Sequence, residues 1–474
     1  MGADGCGSGE EEEERMGSNL AGAEALLFTL LSDLAVLRPA LTRPGFANLR
    51  VLFAGWLQTT GLHAVTESLV VTGVSGRRHH EAFHRFFSRG SWNPNQWGKI
   101  LFSAALRLIP GGEPIRLVLD DTLATKKGEN VFGIGSHLDA ARSTRKRRVF
   151  SFGHCWVMLA VLVPVPFSER RWALPILFRL YRSKKTCAKQ NSSKNPYRKK
   201  TELARDMLDL AIAWVAGRRI ELCADSAYSN HTVTQQLPDS VVLLGAMRPD
   251  AVLTAAPPAR VGTQRSGRPR KRGETLPKPQ ALAQNLAIEW QLLKITLYGQ
   301  PRQVRFKECV AQWYRACESQ LLRIVIVEVD HGSIGLRVFF STDSQMPVMA
   351  ILQGYANRWS IEVCFRDLKQ LFGFADSCAR TRNAVERTAP FVGYCYTLLV
   401  LWFVQFAYPS RATVIPIRPW YPHKRGLSAA DILRTAQRVL AVADILDPRW
   451  NLDNLLISAS TRDLSSRHPV QRAA

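Results

Sequence analysis

Three carboxylates lie at positions in the sequence that suit metal binding. Asp120 ends the apolar run of "LVLDDTL", and Asp225 ends the apolar run of "IELCADSAYS". Glu362 lies in "YANRWSIEVCFRDLKQLFGF", residues 355–374, whose apolar residues have helical spacing. Burying a carboxylate beside an apolar run is costly unless the carboxylate is paired or bound to a metal ion.

Together, these three side chains can hold two divalent cations. Mg²⁺ prefers oxygen ligands and keeps positions open for water and phosphate. Two such ions activate an attacking oxygen and stabilise a leaving oxygen in phosphodiester cleavage. Taken singly, Asp120 also fits an ordinary turn and Asp225 a helix cap, so only the set of three favours catalysis.

The helix around Glu362 carries its charges on one side. At about 100° per residue from Tyr355, Arg358 falls at about 300°, Glu362 at about 340° and Lys369 at about 320°. An apolar face lies beside this stripe, at about 220° to 280°. A solvated row of ion pairs would have the same spacing, but the neighbouring apolar face favours a cleft. In a cleft, the cations would hold a phosphate backbone that carboxylates alone would repel.

The elements that must position these residues alternate between strands and a helix. Five strand patterns and one amphipathic helix indicate an α/β domain with a mixed sheet. The strand patterns cover residues 115–123, 149–165, 173–182, 219–229 and 240–247, and the helix covers 201–216.

Helical and β-rich regions flank this α/β pattern. Residues 20–110 have helical spacing and include a Gly-Ser turn followed by a basic helix with Arg77, Arg78, His84 and Arg85. That pattern fits a helix-turn-helix on DNA or a plain three-helix unit. Residues 250–345 alternate like strands and include a hairpin with a Gly-Gln-Pro-Arg turn.

We therefore expect six segments along the chain. These are a disordered acidic tail (1–19), a helical N-terminal DNA-binding domain (20–110), a first part of the catalytic core (111–249), a β-rich insertion (250–345), a second part of the core with the glutamate helix (346–410) and a C-terminal helical region (411–474).

The composition favours a cytoplasmic protein that binds a polyanion. The net charge is +24, which makes nucleic acid the expected partner and an anionic membrane surface the alternative. None of the nine cysteines forms a C-x2-C pair, which disfavours a zinc ribbon and fits reduced thiols. Residues 391–408 are apolar and barely long enough to span a membrane, and we interpret them as a buried core helix.

The spacing of Tyr355, Arg358, Glu362 and Lys369 fits Y-(2)-R-(3)-E-(6)-K. This pattern resembles the glutamate signature of one large group of DDE transposases from bacterial insertion sequences. "LVLDDTL" and "ELCADSAYS" resemble the two aspartate motifs of that group, and residues 250–345 resemble its strand insertion. The resemblance covers roughly residues 40–410. It implies a ribonuclease-H-like mixed sheet with a β-rich insertion before the catalytic helix, plus a helical N-terminal domain.

The resemblance also implies roles for single residues. Asp120, Asp225 and Glu362 would be the catalytic metal ligands for Mg²⁺, with two ions expected and Mn²⁺ as a substitute. Tyr355, Arg358 and Lys369 would contact DNA phosphates. Asp121 keeps the first ligand ambiguous, because strand alternation does not decide which of the adjacent aspartates points inward, and we favour Asp120 because it directly follows the apolar run. Relatives often stack an insertion tryptophan on a flipped base, and Trp290 and Trp313 are either candidates or core residues.

Three basic segments support contact with nucleic acid. They are "RSTRKRR" (142–148), "RSKKTCAKQNSSKNPYRKK" (182–200) and "RSGRPRKRG" (265–273). The last has the Gly-Arg-Pro spacing of a minor-groove hook. Each could instead be a solvated charged loop, but three in one chain favour DNA contact.

These observations predict a DNA transposase. Water would nick the element end, and the freed 3′-hydroxyl would attack target DNA. The expected partners are double-stranded DNA, as element ends and as target, and a second copy of the chain, so that the protein acts as a homodimer on DNA, associated with the nucleoid and without a membrane. The alternatives are a DNA-binding protein of transposase descent that does not cut, a metal-dependent nuclease outside transposition, and a membrane protein that uses residues 391–408.

Overall fold

A computed structural model describes most of the chain. The described residues are 22–144, 146–190, 196–215, 217–258, 270–328, 335–410, 418–421, 426–441 and 444–447. The predicted acidic tail (1–19), residues 265–269 of the proposed minor-groove hook and most of the C-terminal region lie outside these ranges.

The fold is mixed α/β, as expected, and its sheet contains both parallel and antiparallel pairs. Five strands in the order β4-β3-β1-β5-β6 form its centre. β3 is antiparallel to both of its neighbours, β1 and β4, and β5 and β6 run parallel to β1. This arrangement is consistent with a ribonuclease-H-like nuclease. The strands are β1 (Ile115–Thr125), β2 (Gly135–Leu138) on the edge of β3, β3 (Phe150–Val165), β4 (Ser168–Tyr181), β5 (Ile220–Ala224) and β6 (Val241–Met247).

The strands after β6 continue the same sheet. β12 pairs antiparallel with β6, and β11 and β10 follow in order. The β-rich segment therefore extends the central sheet at the β6 edge. Its strands are β7 (Leu253–Thr254), β8 (Thr275–Leu276), β9 (Gln291–Leu297), β10 (Gln300–Gln312), β11 (Leu321–Glu328) and β12 (Leu336–Ser341).

Helices precede the sheet in the sequence and share its core. A helix α1 over the described residues 22–33 leads into a 3₁₀ helix, Leu34–Ala40. The next helices are α2 (Arg43–Gln58), α3 (Val65–Val71), α4 (Glu81–Ser88) and α5 (Pro94–Leu106). The described helices within and after the sheet are α6 (Lys184–Lys189), α7 (Lys200–Trp214), α8 (His231–Thr234), α9 (Pro279–Gln284), α10 (Tyr314–Cys317), α11 (Val348–Asn357), α12 (Trp359–Leu371), α13 (Arg382–Trp402) and α14 (Ala429–Leu440).

The apolar segment 391–408 lies in α13 and a short π-helix, Phe403–Ala407. Among the described residues, one helix (382–407) is long and apolar enough to cross a membrane, and 83% of its most apolar window is buried inside the protein. Its polar groups bond to the protein, since the Tyr394 hydroxyl donates to the Pro94 carbonyl at 2.8 Å and the Thr397 hydroxyl to the Pro175 carbonyl at 3.0 Å. These contacts support the interpretation of a buried core helix.

Three local expectations were wrong. The predicted basic helix begins only at Glu81, so Arg77 and Arg78 lie in the preceding turn, where Arg77 pairs with Asp444 and Arg78 with Asn48. β1 extends beyond the predicted range 115–123 to Thr125, because β3 keeps pairing beside it, so Asp120 lies inside the strand.

The third correction concerns the insertion hairpin. Its turn is formed by Tyr298 and Gly299, since Gln300 already pairs with Leu297. The expected Gly-Gln-Pro-Arg turn is therefore displaced towards the N-terminus. Both turn residues have positive φ, 56° for Tyr298 and 74° for Gly299.

Candidate active site

Asp120 and Asp225 lie side by side on neighbouring parallel strands. The parallel pairing of β1 with β5 ends at Leu119 and Ala224, and each aspartate is the next residue of its chain. The Asp120 side chain is 17% exposed. Burial, followed by the charge of Asp225, raises the pKa of Asp120 to about 7. Because the charge of Asp225 disfavours the ionised form of Asp120, a cation bound beside the two carboxylates would favour the ionised form of both.

Glu362 reaches the aspartates through Arg358. One terminal nitrogen of the Arg358 guanidinium, Nη1, donates to Asp120 Oδ2 at 3.0 Å, and the other, Nη2, donates to Glu362 Oε1 at 2.7 Å. Arg358 occupies the junction between α11 and α12 in right-handed helical geometry. The segment 348–371 is therefore interrupted at the residue that joins the two carboxylates.

The oxygen donors fit Mg²⁺ in their chemistry. Within the described residues, no group of three or more His, Cys, Asp or Glu side chains is arranged to hold a metal ion. The guanidinium of Arg358 instead contributes the positive charge between Asp120 and Glu362. Carboxylate oxygens are nevertheless the ligands that Mg²⁺ and Mn²⁺ prefer, and Asp120, Asp225 and Glu362 supply only such oxygens.

Asp121 has its own hydrogen-bond partners, on the opposite face of β1 from Asp120. Its carboxylate accepts hydrogen bonds from Lys200 at 2.6 Å, from the Tyr228 hydroxyl at 2.7 Å and from the Cys155 thiol at 3.4 Å. Adjacent strand residues point to opposite faces of a sheet, so Asp121 points away from Arg358 and Glu362. Tyr228 is 1% exposed and follows Asp225 by three residues. Asp121 therefore ties β1 to the loop that carries Asp225.

Tyr355 lies next to this group, whereas Lys369 does not. The Tyr355 ring packs against Phe339 with 4.5 Å between ring centroids, and the Arg358 guanidinium lies 5.6 Å from the Tyr355 centroid. Lys369 is exposed and lies seven residues beyond Glu362 on α12, about 10 Å along the helix axis. The stripe predicted from helical spacing thus extends from the carboxylates towards the far end of α12.

One residue near the site was missed in the sequence. Tyr298, at the tip of the β9–β10 hairpin, is 68% exposed. Burial of its hydroxyl raises the pKa of Tyr298, and the charges of Arg358 and Glu362 also act on this group, so the hairpin tip lies within electrostatic range of them. A Tyr-Gly pair between two strand patterns was the available signal, because two-residue hairpin turns favour glycine.

The two insertion tryptophans have protein partners. Trp313 packs edge-on against Phe340 with 5.5 Å between centroids. Trp290 lies beneath two cations, with Lys307 at 4.9 Å and Arg305 at 5.3 Å from its ring. Neither contact places a tryptophan at the carboxylates.

Comparison with known proteins identifies the family. The model of the DDE superfamily endonuclease family matches residues 37–313, more than half of the chain. The chain belongs to this family. No curated protein matches it. The matched range of this DDE endonuclease contains Asp120 and Asp225 and ends before Glu362.

Family membership and fold agree on the class of chemistry. A mixed α/β fold with two aspartates on adjacent strands suits a nuclease or transposase that acts on DNA, and members of this superfamily typically use divalent metals. The buried apolar helix is consistent with a protein that works outside a membrane.

Proposed function

We propose that this DDE endonuclease is a DNA transposase of the group with the Y-(2)-R-(3)-E-(6)-K signature. The observation that carries the proposal is the double hydrogen bond of Arg358 to Asp120 and Glu362, with Asp225 beside Asp120. Arg358, a residue of the signature, thereby joins Asp120 and Glu362, which are distant in the chain.

In this proposal Asp120, Asp225 and Glu362 hold two Mg²⁺ ions, for which Mn²⁺ substitutes. When bound, the ions supply Lewis acidity to the phosphate and lower the pKa of a bound water. The carboxylates fix the positions where the scissile phosphate and the attacking oxygen meet. Tyr298, on the hairpin tip, borders the same space.

The cations orient DNA in this account. Arg358 can exchange its carboxylate partners for phosphate oxygens, which it binds with the same two-nitrogen geometry. Tyr355 supports the guanidinium from one side. Lys369 contacts the DNA backbone farther along α12. Asp121 positions β1 and takes no part in binding ions.

The domain division and assembly follow the same proposal. Residues 20–110 contribute to DNA binding, residues 250–345 act as the insertion, and two copies bring together two element ends on the nucleoid. In the turn before α4, Arg78 already bonds to Asn48 and lies over Phe83. DNA contact in this domain therefore requires other exposed cations or a change of these partners.

The test uses purified full-length protein, DNA with its flanking genomic ends, and Mg²⁺ or EDTA. We expect nicking at the element end and joined products in Mg²⁺, with neither in EDTA. Asp225→Ala should bind the same DNA without cutting it. Cutting without joining would favour a nuclease outside transposition, and binding without cutting by the wild-type protein would favour a DNA-binding protein of transposase descent.

A further inference from the structure

A second surface lies beyond the carboxylates, at the far end of β1. It is an open cleft of about 870 Å³ between residues 125–131, the start of β3 and residues 375–380 that follow α12. None of the six predicted site residues lines it. We call this feature the distal cleft.

Two exposed aromatic rings line the distal cleft. Phe150 is 62% exposed and Phe152 is 42% exposed, while Ser151 between them is buried. Met158, which pairs with Asp120, is an even number of residues from both phenylalanines on the same strand. Because strand residues two apart share a face, both rings lie on the face of the sheet that carries Asp120. Exposed aromatic groups of this kind mark an interaction site.

Cations surround these rings. Lys126, Lys127, Arg142 and Arg380 line the distal cleft, and all but Lys126 are exposed. Of the lining carboxylates, Asp376 accepts a hydrogen bond from the His63 backbone at 3.1 Å and Glu129 is exposed. Lining cations therefore outnumber carboxylates, and the cleft complements an anion.

Exposed aromatic rings combined with cations suit a single nucleic-acid strand. Bases of an unpaired strand present flat faces that stack on aromatic rings, while lysine and arginine follow the phosphates. In a duplex those faces are covered by neighbouring bases, so exposed phenylalanines would gain little there. The distal cleft lies along β1 from the active site. Thr125, which lines the cleft, is about 17 Å along the strand from Asp120.

We propose that the distal cleft binds an unpaired DNA strand that extends from the phosphodiester at Asp120. This inference rests on the proposed function, because it extends the same DNA path. Bases stack on Phe150 and Phe152, and Lys127 and Arg380 contact the backbone. The DNA bound by this protein is therefore unpaired in the segment that reaches the distal cleft.

Fluorescence anisotropy in EDTA tests the inference with full-length protein. The probes are a 20-nucleotide single strand and the corresponding duplex. We expect Phe150→Ala/Phe152→Ala to weaken single-strand binding roughly tenfold or more and to change duplex binding by less than about twofold. Leu292→Ala is the control, because Leu292 is 62% exposed on β9. It should change neither affinity.

A second variant separates binding from folding. Lys127→Ala/Arg380→Ala should weaken single-strand binding and reduce its salt dependence, with an unchanged circular dichroism spectrum. Equal losses for both DNA forms, or unchanged single-strand affinity in both variants, would overturn the inference. So would binding to anionic vesicles that depends on the phenylalanines in the absence of single-strand binding.

Failure of this inference is distinct from failure of the proposed function. If the protein binds single strands through the phenylalanines but never cuts DNA, the inference about the distal cleft stands and the transposase proposal fails. If the protein cuts element ends and the phenylalanine variant binds single strands normally, the transposase proposal stands and the inference about the distal cleft fails.

Discussion

The Arg358 guanidinium donates a 3.0 Å hydrogen bond to Asp120, although the two residues are 238 positions apart in the chain. The same guanidinium holds Glu362 at 2.7 Å. A partly buried arginine between two carboxylates neutralises charges that would otherwise repel each other. In the proposed enzyme, the metal ions take over this neutralising role.

The first prediction concerns Arg358→Ala. Without the guanidinium, a phosphate ligand is lost, so we expect the rate of Mg²⁺-dependent DNA cleavage to fall by roughly 10²-fold or more. The carboxylates also lose their cation, so the rise in melting temperature on adding Mn²⁺ should be larger than in the wild type. Calorimetry and a cleavage assay measure the two effects.

Arg366→Ala is the matched control on the same helix. Its side chain is 56% exposed and pairs with the neighbouring Asp367. It should alter neither the cleavage rate nor the Mn²⁺ response. A wild-type cleavage rate in Arg358→Ala would remove this arginine from the active site.

The second prediction separates the adjacent aspartates. Asp120→Asn should abolish cleavage, because it removes a proposed metal ligand. It should leave the fold intact, because burial and Asp225 raise the pKa of the Asp120 carboxyl and so disfavour its charge. Asp121→Asn should lower the free energy of unfolding by about 1–3 kcal/mol, because Lys200 loses a charged partner. It should retain Mg²⁺-dependent cleavage at low temperature. Denaturant unfolding and cleavage assays give the answer, and the opposite pattern would make Asp121 the ligand.

The third prediction concerns the hairpin tip. Tyr298 has φ of 56°, where a tyrosine is strained and an asparagine is tolerated. Tyr298→Asn should therefore keep or raise the free energy of unfolding, by up to about 1 kcal/mol, yet slow DNA cleavage. Gln236, with φ of 52°, follows α8 and permits the same substitution outside the β9–β10 hairpin. Gln236→Asn should match the stability change without slowing cleavage, and equal cleavage by both variants would place Tyr298 outside the mechanism.

The fourth prediction is a pH dependence of stability from His154. Burial lowers the pKa of this histidine from 6.5 to about 4, and its Nε2 lies 2.9 Å from the Phe132 carbonyl. Because the folded-state pKa is below the unfolded-state pKa, the stabilising contribution is present above pH 6.5 and is lost as the pH falls towards 4. His154→Gln should be less stable than the wild type at pH 7.5, with the difference shrinking at pH 5. A difference independent of pH would show that His154 is not buried in its neutral form.

Much of the sheet could be predicted from the sequence. β3 and β6 are continuous apolar runs, and the structure places these strands within one residue of the expected ranges. The end of β1 was mispredicted, because its last residues owe their strand geometry to pairing with β3 across the sheet. Apolar patterning predicts burial, but it does not reveal which distant strand continues the pairing.

The candidate site was only partly predictable. Helical spacing grouped Arg358 with Glu362, and the structure pairs them. The bond from Arg358 to Asp120 and the bonds of Asp121 to Lys200 and Tyr228 are long-range contacts that local pattern does not encode. The roles assigned to all these residues stay predictions until variants are assayed.

Cleavage by Glu362→Gln tests the central claim most directly, because Glu362 lies outside the family match yet completes the proposed metal site. The measurement is Mg²⁺-dependent nicking of element-end DNA by wild type and variant, at protein concentrations that saturate DNA binding in both. We predict equal DNA affinity and a cleavage rate at least about 10³-fold lower in the variant. Nicking by Glu362→Gln at the wild-type rate would contradict a three-carboxylate centre.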